Sequence, residues 1–210
     1  RGLRRTVHLD QSRGEVDQVK VISGGRSPTR YLLDHDWLGS DVLAAHCTYC
    51  SESDIGLLAE TDTSMAHCPA SSARRGFHLL ANMPALVDAG VNITLGTDNM
   101  SEDMFDALRI GIIANRGLRE DAGRPTPSEM LTWATRNAAQ ALGRDDLGSL
   151  EPGMKADLVV IRLDRPHPAP ALDVVSSLVH YGQASDVESV MVNGDWIMKD
   201  GKVLTMDERI

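Results

Sequence analysis

Three strand-like runs in this chain, one of them apolar, each end on a histidine or an aspartate. Val91-Asn92-Ile93-Thr94 closes with Leu95-Gly96-Thr97-Asp98, Arg5-Thr6-Val7 leads into His8, and Asp41-Val42-Leu43-Ala44-Ala45 leads into His46. A near-continuous apolar run marks a parallel strand covered on both faces. Burying an unpaired carboxylate at its end is costly, so Asp98 needs a partner or a task. Polar side chains gathered at the C-terminal ends of successive barrel strands mark an active site. His, His and Asp are also metal-ligand types.

Helix signals fill the spaces between these runs, and the alternation predicts four β-then-α units of roughly 25 to 40 residues each. The first has a strand over 4–8, a helix starting near Gly14-Glu15, a turn-rich loop at 23–28 and a short helix over 29–35. The second has a strand over 42–46 and a helix opening at Ser51, where Asp54 completes an approximate capping box. Its apolar face is Ile55, Leu57, Leu58 and Ala59. The third has a strand over 63–67, then a long loop to a helix over 82–89 that Gly90 ends. The fourth has a strand over 91–97 and an amphipathic helix over 103–118, with Met104, Leu108 and Ile112 at helical spacing. Asp98 or Ser101 would cap that helix, and Glu102, Asp103 and Asp106 would form an exposed acidic face at its start. Thr126-Pro127-Ser128-Glu129 is a further helix start, and Met130, Leu131, Ala134, Ala138 and Leu142 continue it to Gly143. Beyond Gly148 the texture turns to strands: an apolar run over 158–161, a hairpin around Asn193-Gly194 with the type I′ signal, and a second turn at Lys199-Asp200-Gly201-Lys202. The expected division is therefore 1–147 for the βα units and 148–210 for a small β cap.

Composition narrows the function classes. The chain has 210 residues, 42% of them hydrophobic, enough for a real core. Its formal net charge of -9 argues against nucleic-acid binding, which leaves a basic footprint. No apolar run approaches the roughly 20 residues of a membrane span. Three cysteines make no disulfide framework, so a reducing cytoplasm is the expected compartment.

The ordered motifs resemble the amidohydrolase superfamily, in particular its branch of nucleobase, nucleoside and triazine deaminases and chlorohydrolases. The matching segments are His8-Leu9-Asp10-Gln11, Ala45-His46-Cys47, Ala66-His67-Cys68-Pro69-Ala70-Ser71-Ser72, Leu95-Gly96-Thr97-Asp98, Ala134-Thr135-Arg136-Asn137-Ala138-Ala139 and the block from Gly148 to Leu158. The resemblance implies a (β/α)8 TIM barrel of the metal-dependent hydrolase type, with barrel strands five to eight present here, and a small β-sandwich cap. It implies one divalent metal ion, zinc first and iron as the alternative. His8 and Asp98 would be metal ligands. Asp98 and His46 would be catalytic, with Asp98 taking a proton from the attacking water. Gln11, His46 and Ser71 would touch substrate. The implied reaction is attack of metal-bound hydroxide on a nitrogen heteroaromatic ring such as a purine, pyrimidine, pterin or triazine, with loss of an amino or chloro group. The implied partners are a small heterocyclic substrate and a second copy in a homodimer, with no nucleic acid or membrane. The family's His-x-His pair on its first barrel strand is missing from this sequence. The expectation is an incomplete sequence or one half of a split protein, which requires an N-terminal half-barrel.

Two positions depart from the family pattern. Gln11 stands where the deaminase branch has a proton-shuttling Glu, and an amide cannot shuttle protons near neutral pH. Asp10 is adjacent, but neighbours on an extended segment point to opposite faces. Gln11 therefore binds substrate in a reaction that does not use that acid, or another residue does the work, or the site is inactive. Ser72 stands where Asn is common. The rival to the enzyme is a non-catalytic barrel homologue acting as a scaffold or binding protein. A weaker rival is a small zinc or redox module built on Cys47 and Cys50. His67 has either a structural role or a substrate contact, Arg74 and Arg75 read as a solvated charge pair, and His35, His78, His167 and His180 carry no expected function.

Overall fold

The computed structural model describes residues 3–76, 83–99 and 102–207. Four strands, β1 (Arg5–Leu9), β2 (Val42–His46), β3 (Ser64–His67) and β4 (Ile93–Leu95), form a parallel sheet in strictly sequential order. Sequential parallel order requires each crossover to return beside the strand it left, and helices supply these crossovers. They are α1 (Arg13–Ile22) and α2 (Pro28–Leu33) after β1, α3 (Glu52–Glu60) after β2, α4 (Pro69–Arg74) and α5 (Met83–Asp88) after β3, and α6 (Met104–Arg119) after β4.

The register sorts side chains into cross-strand rows. Val7, Ala44, Met65 and Ile93 form one row and pack into the core with Leu58, Leu86 and Ile112. His8, Ala45, Ala66 and Thr94 form the row on the opposite face. That row is small beside His8, which is itself exposed, so nothing in the sheet crowds the imidazole.

Local chemistry explains most boundaries. Ser51 and Asp54 make the expected capping box at α3, and Thr126 with Glu129 makes another at α7 (Pro127–Ala134). The expected single helix over 126–142 breaks at Thr135, whose φ of -126° and ψ of -86° are not helical. The chain resumes as α8 (Arg136–Ala141), and Leu142 ends 55% exposed instead of continuing an apolar face. The strand expected over 91–97 is shorter, because only Ile93–Leu95 stays in the ladder. The segment expected as a loop after β3 contains α4. Its Ala-Ser-Ser-Ala composition carries no apolar period, and Pro69 at the first turn starts it. Asp103 caps α6 by accepting from the Phe105 N–H at 2.8 Å, so Asp98 is relieved of that role. Asp106 is not merely a solvated acid: it pairs with Arg109 at 2.9 Å. Ser101 and His78 lie outside the described residues.

The C-terminal segment forms an antiparallel sheet in the order β5 (Leu158–Ile161), β6 (Val187–Val192), β7 (Asp195–Lys199), β8 (Lys202–Val203). Asn193 and Gly194 both take positive φ, 53° and 90°, as the type I′ hairpin demands. Between β5 and β6 the chain makes α9 (Val174–Tyr181), capped by Asp173, which packs on α6 and α7. Thus the cap segment returns to the helical layer of the βα units. Among the described residues no helix is long and apolar enough to cross a membrane.

Candidate active site

At the C-terminal ends of β1, β2 and β4 the backbone departs from ordinary conformations. Asp10 (φ 48°), His46 (φ 76°), Cys47 (φ 46°) and Asp98 (φ 56°) all occupy the left-handed region. Asp tolerates it, but for His46 and Cys47 it costs on the order of 1–3 kcal/mol each. Such strain persists where surrounding structure overrides it, and here the Cys47 N–H donates to the Leu9 carbonyl at 2.9 Å.

These bends gather three of the expected residues. The His8 and His46 rings lie 4.9 Å apart, edge to face. The His46 Nε2 lies 4.0 Å from Asp98 Oδ2, too long for a hydrogen bond, and has no hydrogen-bond partner among the described residues. Burial, then the neighbouring His8, hold the His46 pKa below its usual value against the pull of Asp98. His67 is 3% exposed, and its Nε2 also lacks a partner. Burial foremost, then His46, push its pKa down to about 3. Two neutral imidazoles thus stand in the cluster, each with an unsatisfied nitrogen.

Asp98 is held from several directions. Ser71 Oγ donates to Oδ2 at 2.5 Å, and the Asn99 N–H donates to Oδ1 at 2.7 Å. Burial pushes this carboxyl up, but the bonds from Ser71 and Asn99, together with His46 and Arg75, outweigh it and hold the pKa below the usual carboxylate range. Nearby, Gly96 leaves room for Cys68: a Cβ there would sit 3.0 Å from Cys68 Sγ, a tight contact.

Two residues reach the Asp98 carboxylate from α4 and its end. Ser71 is buried, with its hydroxyl directed at Asp98. Arg75 is no bystander: its Nη2 donates to Asn99 Oδ1 at 2.8 Å and lies 3.8 Å from Asp98 Oδ2. Arg74 turns the other way, toward Asp106 at 3.8 Å.

The turn after β1 bears on the missing proton shuttle. Asp10 is fully buried, and its Oδ2 accepts from Thr29 Oγ1 at 2.5 Å and Cys50 Sγ at 3.1 Å. Burial foremost raises its pKa to about 6, against those two hydrogen bonds. This carboxyl faces α2 and the loop after β2. The Glu15 carboxylate accepts the N–H groups of both Asp10 and Gln11, so neither oxygen is idle. Gln11 itself is half-buried, and its side-chain amide has no hydrogen-bond partner among the described residues. Cys47 and Cys50 are buried and form no disulfide, and the hydrogen bond with Cys47 foremost, then burial, pushes the Cys50 thiol well above its usual pKa.

A divalent cation fits this donor set in part. His8 and Asp98 supply one nitrogen and one oxygen of the kinds zinc accepts, and the orphaned Nε2 of His46 faces the same carboxylate. Among the described residues no group of three or more His, Cys, Asp or Glu is gathered to hold a metal.

Residues 1–197 match the model of the amidohydrolase family. The chain belongs to the amidohydrolase family. It is 35% identical over 206 residues to a 5-methylthioadenosine/S-adenosylhomocysteine deaminase from Pelotomaculum thermopropionicum, covering 96% of this chain and 47% of that protein. A deaminase of the same name from Haloarcula marismortui is 37% identical, covering 97% and 47%. Among solved structures, an adenosine deaminase from Xanthomonas campestris with bound zinc aligns at a TM-score of 0.91 and 29% identity, covering 97% of this chain and 47% of that one. An atrazine chlorohydrolase from Arthrobacter aurescens TC1 complexed with zinc aligns at 0.85 and 26%, covering 98% and 46%. This amidohydrolase chain spans about half the length of the curated relatives it matches.

Proposed function

We propose that the complete protein is a metal-dependent hydrolase that removes an amino or chloro substituent from a nitrogen heteroaromatic ring. The observation that carries this is the convergence of His8, His46 and a Ser71-supported Asp98 at the C-terminal ends of β1, β2 and β4 of one parallel sheet. His8 and Asp98 would hold the ion on this side, zinc first given the zinc in two neighbouring structures and iron as the alternative. When bound, such an ion acidifies water at the site toward a pKa of about 7. In this reading the unit 1–147 is the C-terminal half of a (β/α)8 barrel, and 148–210 contributes the cap of a β-sandwich.

The chain's own residues then have separable tasks. Asp98, held ionised by Ser71 and the Asn99 N–H, accepts the proton lost by the attacking water. Neutral His46 offers its free Nε2 to the oxygen added to the ring, where charge develops. Gln11 offers an unpartnered amide, two donors and an acceptor, to a ring substituent. No carboxyl in the turn after β1 is placed to replace the absent shuttle, since Asp10 faces away and both Glu15 oxygens are engaged. Amine departure needs a proton from somewhere, whereas chloride leaves as an anion without one. The Gln11 position therefore favours a leaving group of the second kind.

The test is turnover by the full-length protein on matched amino- and chloro-substituted purines, pyrimidines, pterins and triazines. The expected result is hydrolysis of at least one ring class, with the chloro member of a pair turned over faster. Bound metal with no turnover anywhere on the panel would favour the second reading, a non-catalytic barrel, to which Gln11 lends support.

A further inference from the structure

Three helices of this chain open with an acidic residue three positions after a hydroxyl cap, and one of the three behaves differently. In α3 the Asp54 carboxylate returns to the N–H of its own cap, Ser51, at 2.9 Å. In α7 Glu129 does the same to Thr126 at 2.6 Å. In α1 the Ser12 hydroxyl accepts the Glu15 N–H at 3.2 Å in the usual way, but the Glu15 carboxylate passes over Ser12. It takes the N–H of Asp10 at 3.0 Å with Oε1 and that of Gln11 at 2.9 Å with Oε2. The grip is thus displaced outward, from the helix end onto the turn that follows β1.

That turn is otherwise fixed as well. Asp10 sits at a φ of 48°, with its side chain anchored on Thr29 and Cys50. Its carbonyl accepts from the Tyr49 N–H at 2.9 Å. Asp10 Oδ2 and the N–H groups of residues 10 and 11 are engaged in protein, Asp10 Oδ1 is buried without a partner among the described residues, and the Gln11 amide is left over, three residues beyond His8. A carboxylate that holds two successive N–H groups fixes the planes of both peptides and hence the direction in which the next side chain departs.

We infer that Glu15 is a positioning residue for Gln11: its carboxylate orients the turn that presents the Gln11 amide to the substrate. The inference rests on the functional reading above, in which Gln11 binds a ring substituent. Glu15 touches no reacting atom and acts only through the backbone it holds.

A double-mutant cycle in the full-length protein tests this, using Glu15→Ala, Gln11→Ala and the pair. Hydrogen exchange is followed in the peptide spanning residues 9–12, and metal content is measured in every variant. Glu15→Ala is expected to lower kcat/KM by on the order of 10–100-fold, as small misplacements at an active site do, chiefly through KM. The double variant should lose no more than Gln11→Ala alone, because a residue acting only through Gln11 has nothing left to position. Exchange of the 9–12 amides should quicken at least tenfold in Glu15→Ala with metal content unchanged, and Glu15→Gln, which keeps one acceptor, should fall between. Additive losses in the double variant, or unchanged exchange, would overturn the inference while leaving the functional reading intact. A wild-type protein with neither turnover nor bound metal would defeat the functional reading itself, and this inference with it.

Discussion

Lowering the pH from 7 to 5 should remove about 2 kcal/mol of stability through His67 alone. The imidazole is 3% exposed, and burial pushes its pKa down to about 3. An unfolded His titrates near 6.5. The fold therefore prefers the neutral ring. Its contribution is complete above pH 6.5, falls as the pH drops through 6.5, and is exhausted near pH 3, where the folded form also protonates. Between these limits the slope is about 1.36 kcal/mol per pH unit, so 1.5 units below 6.5 give about 2 kcal/mol. That figure at pH 5 needs only a folded pKa clearly below 5, so it is insensitive to the last unit of the shift. The perturbation is His67→Gln in the full-length protein, and the assay is chemical denaturation at pH 5 to 8 followed by the fluorescence of Trp37, Trp133 and Trp196. Wild type should be the more stable at pH 8, and its advantage over the variant should shrink by about 2 kcal/mol at pH 5. His46 and every other titrating group stay in both proteins and cancel in the difference. Parallel stability curves would refute the reasoning and show that His67 meets its charge inside the fold.

The remaining predictions concern the carboxylate and the amide. Gly96→Ala would place a Cβ 3.0 Å from Cys68 Sγ, beside Asp98. It should cost about 1–3 kcal/mol by overpacking and lower metal occupancy, and an unchanged denaturation midpoint would contradict it. Gln11→Glu should lower kcat/KM on the best chloro substrate by about 5–150-fold, since a substrate acceptor would lose its donor at roughly 1–3 kcal/mol. A gain on an amino substrate would show instead that the position wants its proton shuttle back.

What could be read from the sequence was local. The runs ending in His8, His46 and Asp98 gave β1, β2 and β4 with the loop that carries Asp98; β4 is buried throughout, whereas β1 alternates between partly buried and exposed residues before Leu9. Ser51 with Asp54, Thr126 with Glu129, and Asn193-Gly194 each act within four residues, so their boundaries followed from residue type. The site's support was not local. Ser71 reaches Asp98 across 27 positions, and Thr29 and Cys50 reach Asp10 across 19 and 40. Those meetings depend on strand register and on left-handed backbone at Asp10, His46 and Asp98. The helix start near Glu15 was legible, but which N–H groups its carboxylate takes depends on the bend at Asp10. Arg75 and Arg74 look alike in sequence, and the end of α4 sends one toward Asp98 and the other toward Asp106. Helix α4 itself left no trace, because Ala and Ser give no apolar period.

The central claim is that Asp98, supported by Ser71 and facing His46, is a ligand in a divalent-metal hydrolase site. The most direct measurement is elemental analysis of the full-length protein beside Asp98→Ala, purified identically, with turnover recorded on the same samples. The account predicts about one zinc or iron per wild-type chain with measurable turnover, and loss of most of the metal and all of the turnover in Asp98→Ala. Equal metal content in the two proteins, or wild-type turnover in the variant, would contradict it.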